Sequence, residues 1–305
     1  MTLRSVAVPV RVRVPAKINL RLAVGDLRRD GYHDLLTVFH AVDLTDELVI
    51  APGARNTVRT GGAAGVPTGT KNLAIAAAKL LSDHTGLGTP VTIEINKQIP
   101  VAGGMAGGSA DAAAALIGCS ALWGVDIGRD ELAALGARLG SDVPFALSGG
   151  TAVGTGRGEL LSPVLTRMTL HWVLGLSKTG LSTPEVFGEL DRLRAAGDRP
   201  RVDGVQPMLA ALAAGDLAAV ADAMANDLQA AAVSLQPELR RALRAGTDAG
   251  ALAGIVSGSG PTLAFLCTDA DHAADVAVRL AGTGTCAAVK VASGPAPGAR
   301  LIASV

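Results

Sequence analysis

The sequence predicts a chain of mixed helices and strands divided into two domains, and three observations carry that prediction. With 305 residues, 49% of them hydrophobic, the chain can bury a sizeable core and is long enough for two ordinary domains. Short runs alternating with period two, the mark of strands, are interleaved with Ala-rich runs at helical spacing. The character of the text changes near Ser162-Pro163, beyond which strands such as 169–174 and 263–267 alternate with Ala-rich helices. The domains are therefore placed at 1–163 and 164–305.

Taken in order, Val10 to Val24 (VRVRVPAKINLRLAV) alternates, interrupted or started at Pro15, with Lys17, Asn19 and Arg21 on one face and Ile18, Leu20 and Leu22 on the other. The loop GDLRRDGYHDL follows, with Asp30-Gly31 as its turn signal. Residues 38–42 and 47–50 are expected as two short strands, 71–82 as a helix, and 90–95 as a strand leading into IPVAGGMAGGSADAAAAL. Ser109 to Trp123 is nearly all apolar, so that helix should be buried, with Gly124 ending it. Residues 129–139 read as an amphipathic helix, GSDVPFALSGG as the start of a short one, and 151–158 as strand then turn. Arg192 to Gly204 reads as an exposed connection.

Composition excludes several classes. The 27 basic and 27 acidic residues cancel, which removes the electrostatic footprint of a nucleic-acid binder. Cys119, Cys267 and Cys286 are odd in number and far apart, so neither a disulfide framework nor a zinc site is indicated and buried reduced thiols are expected. The N-terminal text alternates Val with Arg and lacks the apolar core of a secretory signal, and no run of 18 apolar residues occurs. A cytoplasmic protein that meets small molecules, with no membrane and no nucleic acid, is the expectation; oligomeric state is not readable.

A strand, a glycine loop and a helix aim free backbone N–H groups and the positive helix end at an anion, usually phosphate. Gly103 to Gly108 followed by Ser109 imitates a P-loop but lacks its lysine, and the loop does not satisfy the dinucleotide fingerprint either. A packing corner rich in glycine is the competing reading. Asp142 stands before a helical turn begun by Val143-Pro144, where it is either an N-cap or an ionised base for a hydroxyl. Lys17 is either a solvated strand lysine or a cation near a transferred group. Together the three segments describe a phosphate cradle, a base and a cation.

PAKINL, RRDGYHDL, PVAGGMAGGSADAA, GSDVPFAL and SGSGPTLAFL, in this order, resemble the GHMP small-molecule kinases nearly end to end. PAKINL with DGYH is similar to the branch that phosphorylates a cytidine-diphosphate-linked methylerythritol in isoprenoid precursor synthesis. The resemblance implies an α+β two-domain GHMP kinase fold, with an N-terminal domain of the ribosomal-protein-S5 domain 2-like type, a C-terminal ferredoxin-like domain and the active site in the cleft between. It also implies ATP as donor, with Mg²⁺, and the 2-hydroxyl of the methylerythritol as acceptor.

Carried over by motif, Asp142 would be the base, Lys17 would stabilise the developing alkoxide, and Asn19 would line the same site. Gly103, Gly104, Gly107, Gly108 and Ser109 would hold the ATP phosphates. Asn72 matches a position near the nucleotide, although N-capping explains it equally well. Tyr32, the only tyrosine of the chain, would sandwich cytosine with Phe187 while His33 matches its hydrogen-bonding edge; Thr183 and Pro184 precede Phe187 in the same motif. Gly258 to Gly260 would close the substrate side, a simple hairpin turn being the alternative. Two departures stand out: Met105 replaces the usual Leu, and Ala110 replaces a second Ser, leaving Ser109 as the loop hydroxyl. No dedicated carboxylate cluster for the metal is visible, so nucleotide, water and Ser109 would hold it. Related kinases of mevalonate derivatives or homoserine, and a regulatory protein keeping the fold without catalysis, are the rivals.

Overall fold

The computed structural model describes residues 8–61, 65–197 and 201–302. Residues 1–7 of the N-terminal reading and 198–200 of the expected connection lie outside them. The first part of the chain forms β1 (Val10–Leu27), β2 (His33–Pro52), β3 (Thr57–Arg59), α1 (Leu73–Thr85), β4 (Val91–Asn96), α2 (Gly107–Trp123), α3 (Arg129–Leu139), α4 (Val143–Ser148), β5 (Thr151–Thr155) and β6 (Leu160–Pro163). There follow β7 (Leu170–Leu176), α5 (Thr183–Ala195), α6 (Gln206–Ala214), α7 (Leu217–Ala223), β8 (Ala225–Asn226), α8 (Gln229–Leu235), α9 (Glu238–Asp248), β9 (Ala253–Val256), β10 (Leu263–Cys267), α10 (Ala270–Gly282), β11 (Ala288–Gly294) and β12 (Arg300–Ile302). This is the mixed α+β class that the sequence predicts.

The strands make two sheets. The larger runs β12-β1-β2-β4-β3, with β5 and β6 continuing from β2 and the short β8 lying parallel to β1. The smaller is antiparallel throughout in the order β11-β7-β10-β9. Counted along the chain that order is fourth, first, third, second, the ferredoxin-like arrangement that the resemblance implies. The final strand β12 returns to pair with β1, so the C-terminal end of the chain finishes in the larger sheet.

Three local expectations are corrected. β1 continues through Pro15, with a register shift between Pro15 and Ala16 that absorbs the missing backbone donor. The two short strands expected at 38–42 and 47–50 are one 20-residue strand, because β5 pairs its first half and β4 its second and so keep the intervening residues extended. In a third correction, the first residues of the expected connection at 192–204 are the last turn of α5.

The apolar helix α2 is the axis of the main core, packed on α1 and against β1. Ala112 to Leu116 and Cys119 are fully buried, and a side chain at Gly118 would run into Ile50 and Val12 of the sheet, so the glycine is what lets helix and sheet approach. Gly124 ends the helix in the left-handed region at φ 65°. Cys119 and Cys267 are buried free thiols, as expected, whereas Cys286 is half-buried. Among the described residues no helix is long and apolar enough to cross a membrane.

Candidate active site

A cleft of about 690 Å³ receives the end of β1, the glycine loop, the start of α4, the DGYH turn and α5. Lys17 and Asn19 enter it from the face of β1 that the alternation marks as polar. The sequence leaves that face open to solvent, but the chain covers it: Lys17 is 7% exposed and Asn19 2%. Lys17 Nζ donates to Asn19 Oδ1 at 2.7 Å, Asn19 Nδ2 to Thr37 Oγ1 at 2.8 Å, and Thr37 Oγ1 to the Arg21 carbonyl at 2.8 Å. This chain of donors fixes the amide orientation of Asn19 and holds the lysine tip in place. Burial holds the Lys17 ammonium below the ordinary lysine range, and the Asp142 carboxylate pulls it partly back.

Asp142 occupies the N-cap position of α4, yet its side chain makes no capping hydrogen bond. Its carbonyl accepts from Ala146 N at 3.0 Å while the half-buried carboxylate faces the cleft. The capping reading therefore describes the backbone position and leaves the carboxylate available for chemistry.

The glycine loop divides between the two readings. Gly103 O accepts from Thr262 N at 3.2 Å and Gly104 O from Ser257 Oγ at 3.2 Å, so the loop docks on SGSGP. A Cβ at Gly104 (φ +75°) would overlap Ser257 O and stand 2.6 Å from Gly260 N. These two glycines form a packing corner. The next residues behave differently. Ala106 takes φ 59° as the N-cap of α2 without a side-chain cap, and Ala110 N is the amide that returns to Ala106 O. The N–H groups of Gly107, Gly108 and Ser109 consequently precede the intrahelical ladder at the positive end of a 17-residue helix. Gly108 is exposed, and only Leu73 Cδ1 stands near the position of its missing Cβ.

Sequence reasoning did not find what anchors this helix start. Lys97 Nζ donates to the Gly107 carbonyl at 2.9 Å, to Asp46 Oδ2 at 2.6 Å and to Asp111 Oδ2 at 2.8 Å. The signal available was a lysine six residues before the first of the glycines and an aspartate inside an otherwise apolar helix.

At the other end of the cleft His33 is buried with its ring 5.0 Å from that of Phe187, at 30°. Tyr32 is 51% exposed, with the Arg157 guanidinium 4.9 Å from its ring centroid. Thr183 Oγ1 and Ser259 Oγ hydrogen-bond at 2.9 Å, joining α5 to the SGSGP loop. Arg157 and Asp191, which hydrogen-bonds His33, also line the cleft and were absent from the sequence reading.

Asn72 is the expected site residue that does not line this cleft. It is 3% exposed; Oδ1 accepts from Ala74 N at 2.9 Å to cap α1, and Nδ2 donates to Pro67 O at 2.9 Å. Both ends of the amide are committed to structure. Among the described residues no three His, Cys, Asp or Glu side chains gather as a metal cage.

Comparison with known proteins finds relatives over nearly the whole chain. The family model for the GHMP kinases N terminal domain matches residues 72–150, and that for GHMP kinases C terminal matches 208–286. The chain is 63% identical over 296 residues to a protein of Nocardia farcinica named 4-diphosphocytidyl-2-C-methyl-D-erythritol kinase, spanning 96% of each chain. A crystal structure of 4-(cytidine 5'-diphospho)-2C-methyl-D-erythritol kinase superposes with a TM-score of 0.74 at 33% identity, covering 92% of this chain and 98% of the other. Homoserine kinase of Cytophaga hutchinsonii shares the fold alone, with a TM-score of 0.75 at 18% identity over 99% and 100% of the two chains.

Proposed function

The chain belongs to the GHMP kinases, and from that premise we infer that it transfers the γ-phosphoryl of ATP to the 2-hydroxyl of 4-diphosphocytidyl-2-C-methyl-D-erythritol, releasing ADP. One observation carries this reading. In a chain 63% identical to a kinase of that name, a buried lysine, an uncapped carboxylate and the free amides of a helix start meet in one cleft whose far end holds the DGYH turn.

The roles follow from the chemistry of each group. The amides of Gly107, Gly108 and Ser109 receive phosphate oxygens with the favourable end of the α2 dipole behind them, while Gly103 and Gly104 shape the loop. Asp142 accepts the proton of the attacking hydroxyl, and Lys17, oriented by Asn19, offsets the negative charge that develops on that oxygen. Transfer is direct and in line, so positioning and electrostatics supply most of the rate. Tyr32, His33 and Phe187 receive the cytosine, with Thr183 beside them.

The donor set suits a hard cation brought by the nucleotide: the hydroxyl of Ser109 and the carboxylate of Asp142 are oxygen ligands lining the same cleft, and Mg²⁺ keeps several of its own waters. Bound there, Mg²⁺ would neutralise charge on the transferring phosphoryl group. A functional division at 163/164 is supported by the smaller sheet, which draws all four strands from beyond Pro163. The charged, water-soluble substrates support a cytoplasmic setting.

The test is an ADP-release assay with ATP and Mg²⁺ that compares the cytidine-linked methylerythritol with mevalonate, phosphomevalonate and homoserine. Turnover with the first alone is the expected result. Turnover with another acceptor would overturn the roles of Tyr32, His33 and Phe187, and silence with all four would overturn the kinase reading.

A further inference from the structure

We propose that Arg157 is the cation that receives the diphosphate of the acceptor substrate, carried on a turn that holds it between the two ends of the cleft. The inference rests on the cytidine-linked reading above and adds to it the group that meets the two phosphates.

Such a substrate lies along the cleft. Its base goes to the end formed by Tyr32, His33 and Phe187 and its reacting hydroxyl to Lys17 and Asp142, so the diphosphate that joins them falls in the stretch between. The cleft already carries the carboxylates of Asp142 and Asp191, and two further negative charges need a cation to meet them. Among the described residues that line it, the lysine and arginine side chains are Lys17 and Arg157. Lys17 is buried and hydrogen-bonded to Asn19 at the reacting end. The amides of Gly107, Gly108 and Ser109 are engaged by the donor nucleotide. Arg157 is the cation left for the acceptor.

The backbone places it midway. Arg157 stands in the turn from β5 to β6, which is closed by Gly158 N donating to Thr155 O at 2.9 Å. Gly156 O accepts from Leu35 N at 2.7 Å, two residues beyond His33. On the other side of the arginine, Phe39 Cζ stands 3.3 Å from the position of the missing Cβ of Gly158, and Lys17 Nζ lies 5.5 Å from the centroid of that same ring. One side of the turn is thus tied to the base end of the cleft and the other to the reacting end. Arg157 N donates to Glu159 Oε2 at 2.6 Å, which fixes the backbone of the arginine itself.

The guanidinium is held without being spent. It lies over the Tyr32 ring, and attraction to a ring face leaves the N–H groups at the guanidinium edges free. Its contact with a carboxylate is Nε to Glu159 Oε1 at 3.7 Å, too long for a hydrogen bond, and among the described residues its side chain donates none. Arg21 shows the contrast, with three nitrogens committed to the carbonyls of Asp203, Gly204 and Ala223. A free guanidinium fork matches phosphate oxygens two at a time.

Binding of cytidine and of CDP is measured for the wild-type chain, Arg157→Gln and Arg157→Lys, with ADP and Mg²⁺ in excess so that the glycine-loop amides are occupied. The wild type is expected to bind CDP about tenfold or more tighter than cytidine. Arg157→Gln should bring the two within about threefold, cytidine itself changing by no more than about threefold because only the contact with Tyr32 is lost. Arg157→Lys keeps the charge without the fork and should show a gap between those of the other two proteins. In steady-state kinetics of Arg157→Gln the KM for the cytidine-linked methylerythritol should rise about tenfold, while the KM for ATP moves by less than about twofold.

Equal weakening of cytidine and CDP in Arg157→Gln would mean that the arginine serves only the Tyr32 ring, and overturns the proposal. So does an unchanged gap, or a KM that rises for ATP instead of the acceptor; each leaves the kinase reading standing. A wild type that binds cytidine as tightly as CDP overturns the proposal alone. One that binds neither overturns the cytidine reading, and the proposal with it.

Discussion

Replacing Asp111 with asparagine removes a titration that the fold itself creates. Asp111 is 3% exposed inside α2; its Oδ2 accepts from Lys97, and its Oδ1 has no partner. Lys97 also serves Asp46, whose Oδ1 accepts from the amides of Gln98 and Ile99. One ammonium thus faces two carboxylates. Burial first, and the charge of Asp46 after it, push the Asp111 carboxyl up to about 7 against the opposing pull of Lys97. In the unfolded chain an aspartate titrates near 3.9. Between these values the folded state keeps a proton that the unfolded state has lost, so stability falls as pH rises through that window and levels off above it. A gap of about three units, at 1.36 kcal/mol each, sets a ceiling of about 4 kcal/mol.

Asparagine imitates the protonated form, its amide hydrogens pointing where the carboxyl proton would be shared with Asp46, and it does not titrate. Urea denaturation of the two proteins at pH 5 and pH 8 isolates the effect, because every other titrating group is common to both. Relative to Asp111→Asn, the wild type should lose about 1 to 3 kcal/mol between the two pH values. Parallel pH dependence in the two proteins would refute the reasoning, since it would mean that Asp111 is ionised in both states throughout.

The remaining predictions concern the cleft. Asp142→Asn should lower kcat by about 10² to 10⁴ and leave the melting temperature nearly unchanged, because the carboxylate caps nothing; an assay at wild-type rate would end its assignment as base. Gly258→Ala forces a side chain into left-handed backbone (φ +55°) at 3.1 Å from Lys17 Nζ and 3.2 Å from Asn19 Oδ1. It should reduce kcat by about 10- to 100-fold for a stability loss of about 1 to 2 kcal/mol, compared by steady-state kinetics and chemical denaturation. Lys97→Met leaves Asp46 and Asp111 facing each other without a cation and frees the Gly107 carbonyl; a loss of about 3 to 5 kcal/mol is expected by denaturation, with a raised KM for ATP in whatever fraction folds.

What could be read in advance was whatever repeats over a few residues. The apolar run from Ser109 to Trp123 has no polar stripe, so it had to be enclosed, and Ala112 to Leu116 are fully buried. The bounds of α3 and β10 coincide with their patterns, and Gly124 caps α2 as its position suggests. The glycines ahead of α2 marked close backbone approach, but what approaches was not local information. At Gly103 and Gly104 it is the SGSGP loop, about 155 residues later in the chain, while at Gly107 to Ser109 the amides stay free.

The amino-acid sequence by itself determined the mixed class, the first four helices, the candidate base, cation and phosphate loop, and through its motifs the family. Only the tertiary structure decided that the polar face of β1 is buried, that 33–52 is one strand, that Asn72 serves a helix cap, and that Lys97, Arg157 and Asp191 belong to the account of the cleft. The physical reason is the same in each case. Periodicity records which side of an element differs from the other, whereas burial, charge pairing and hydrogen bonding depend on what the rest of the chain brings against that side.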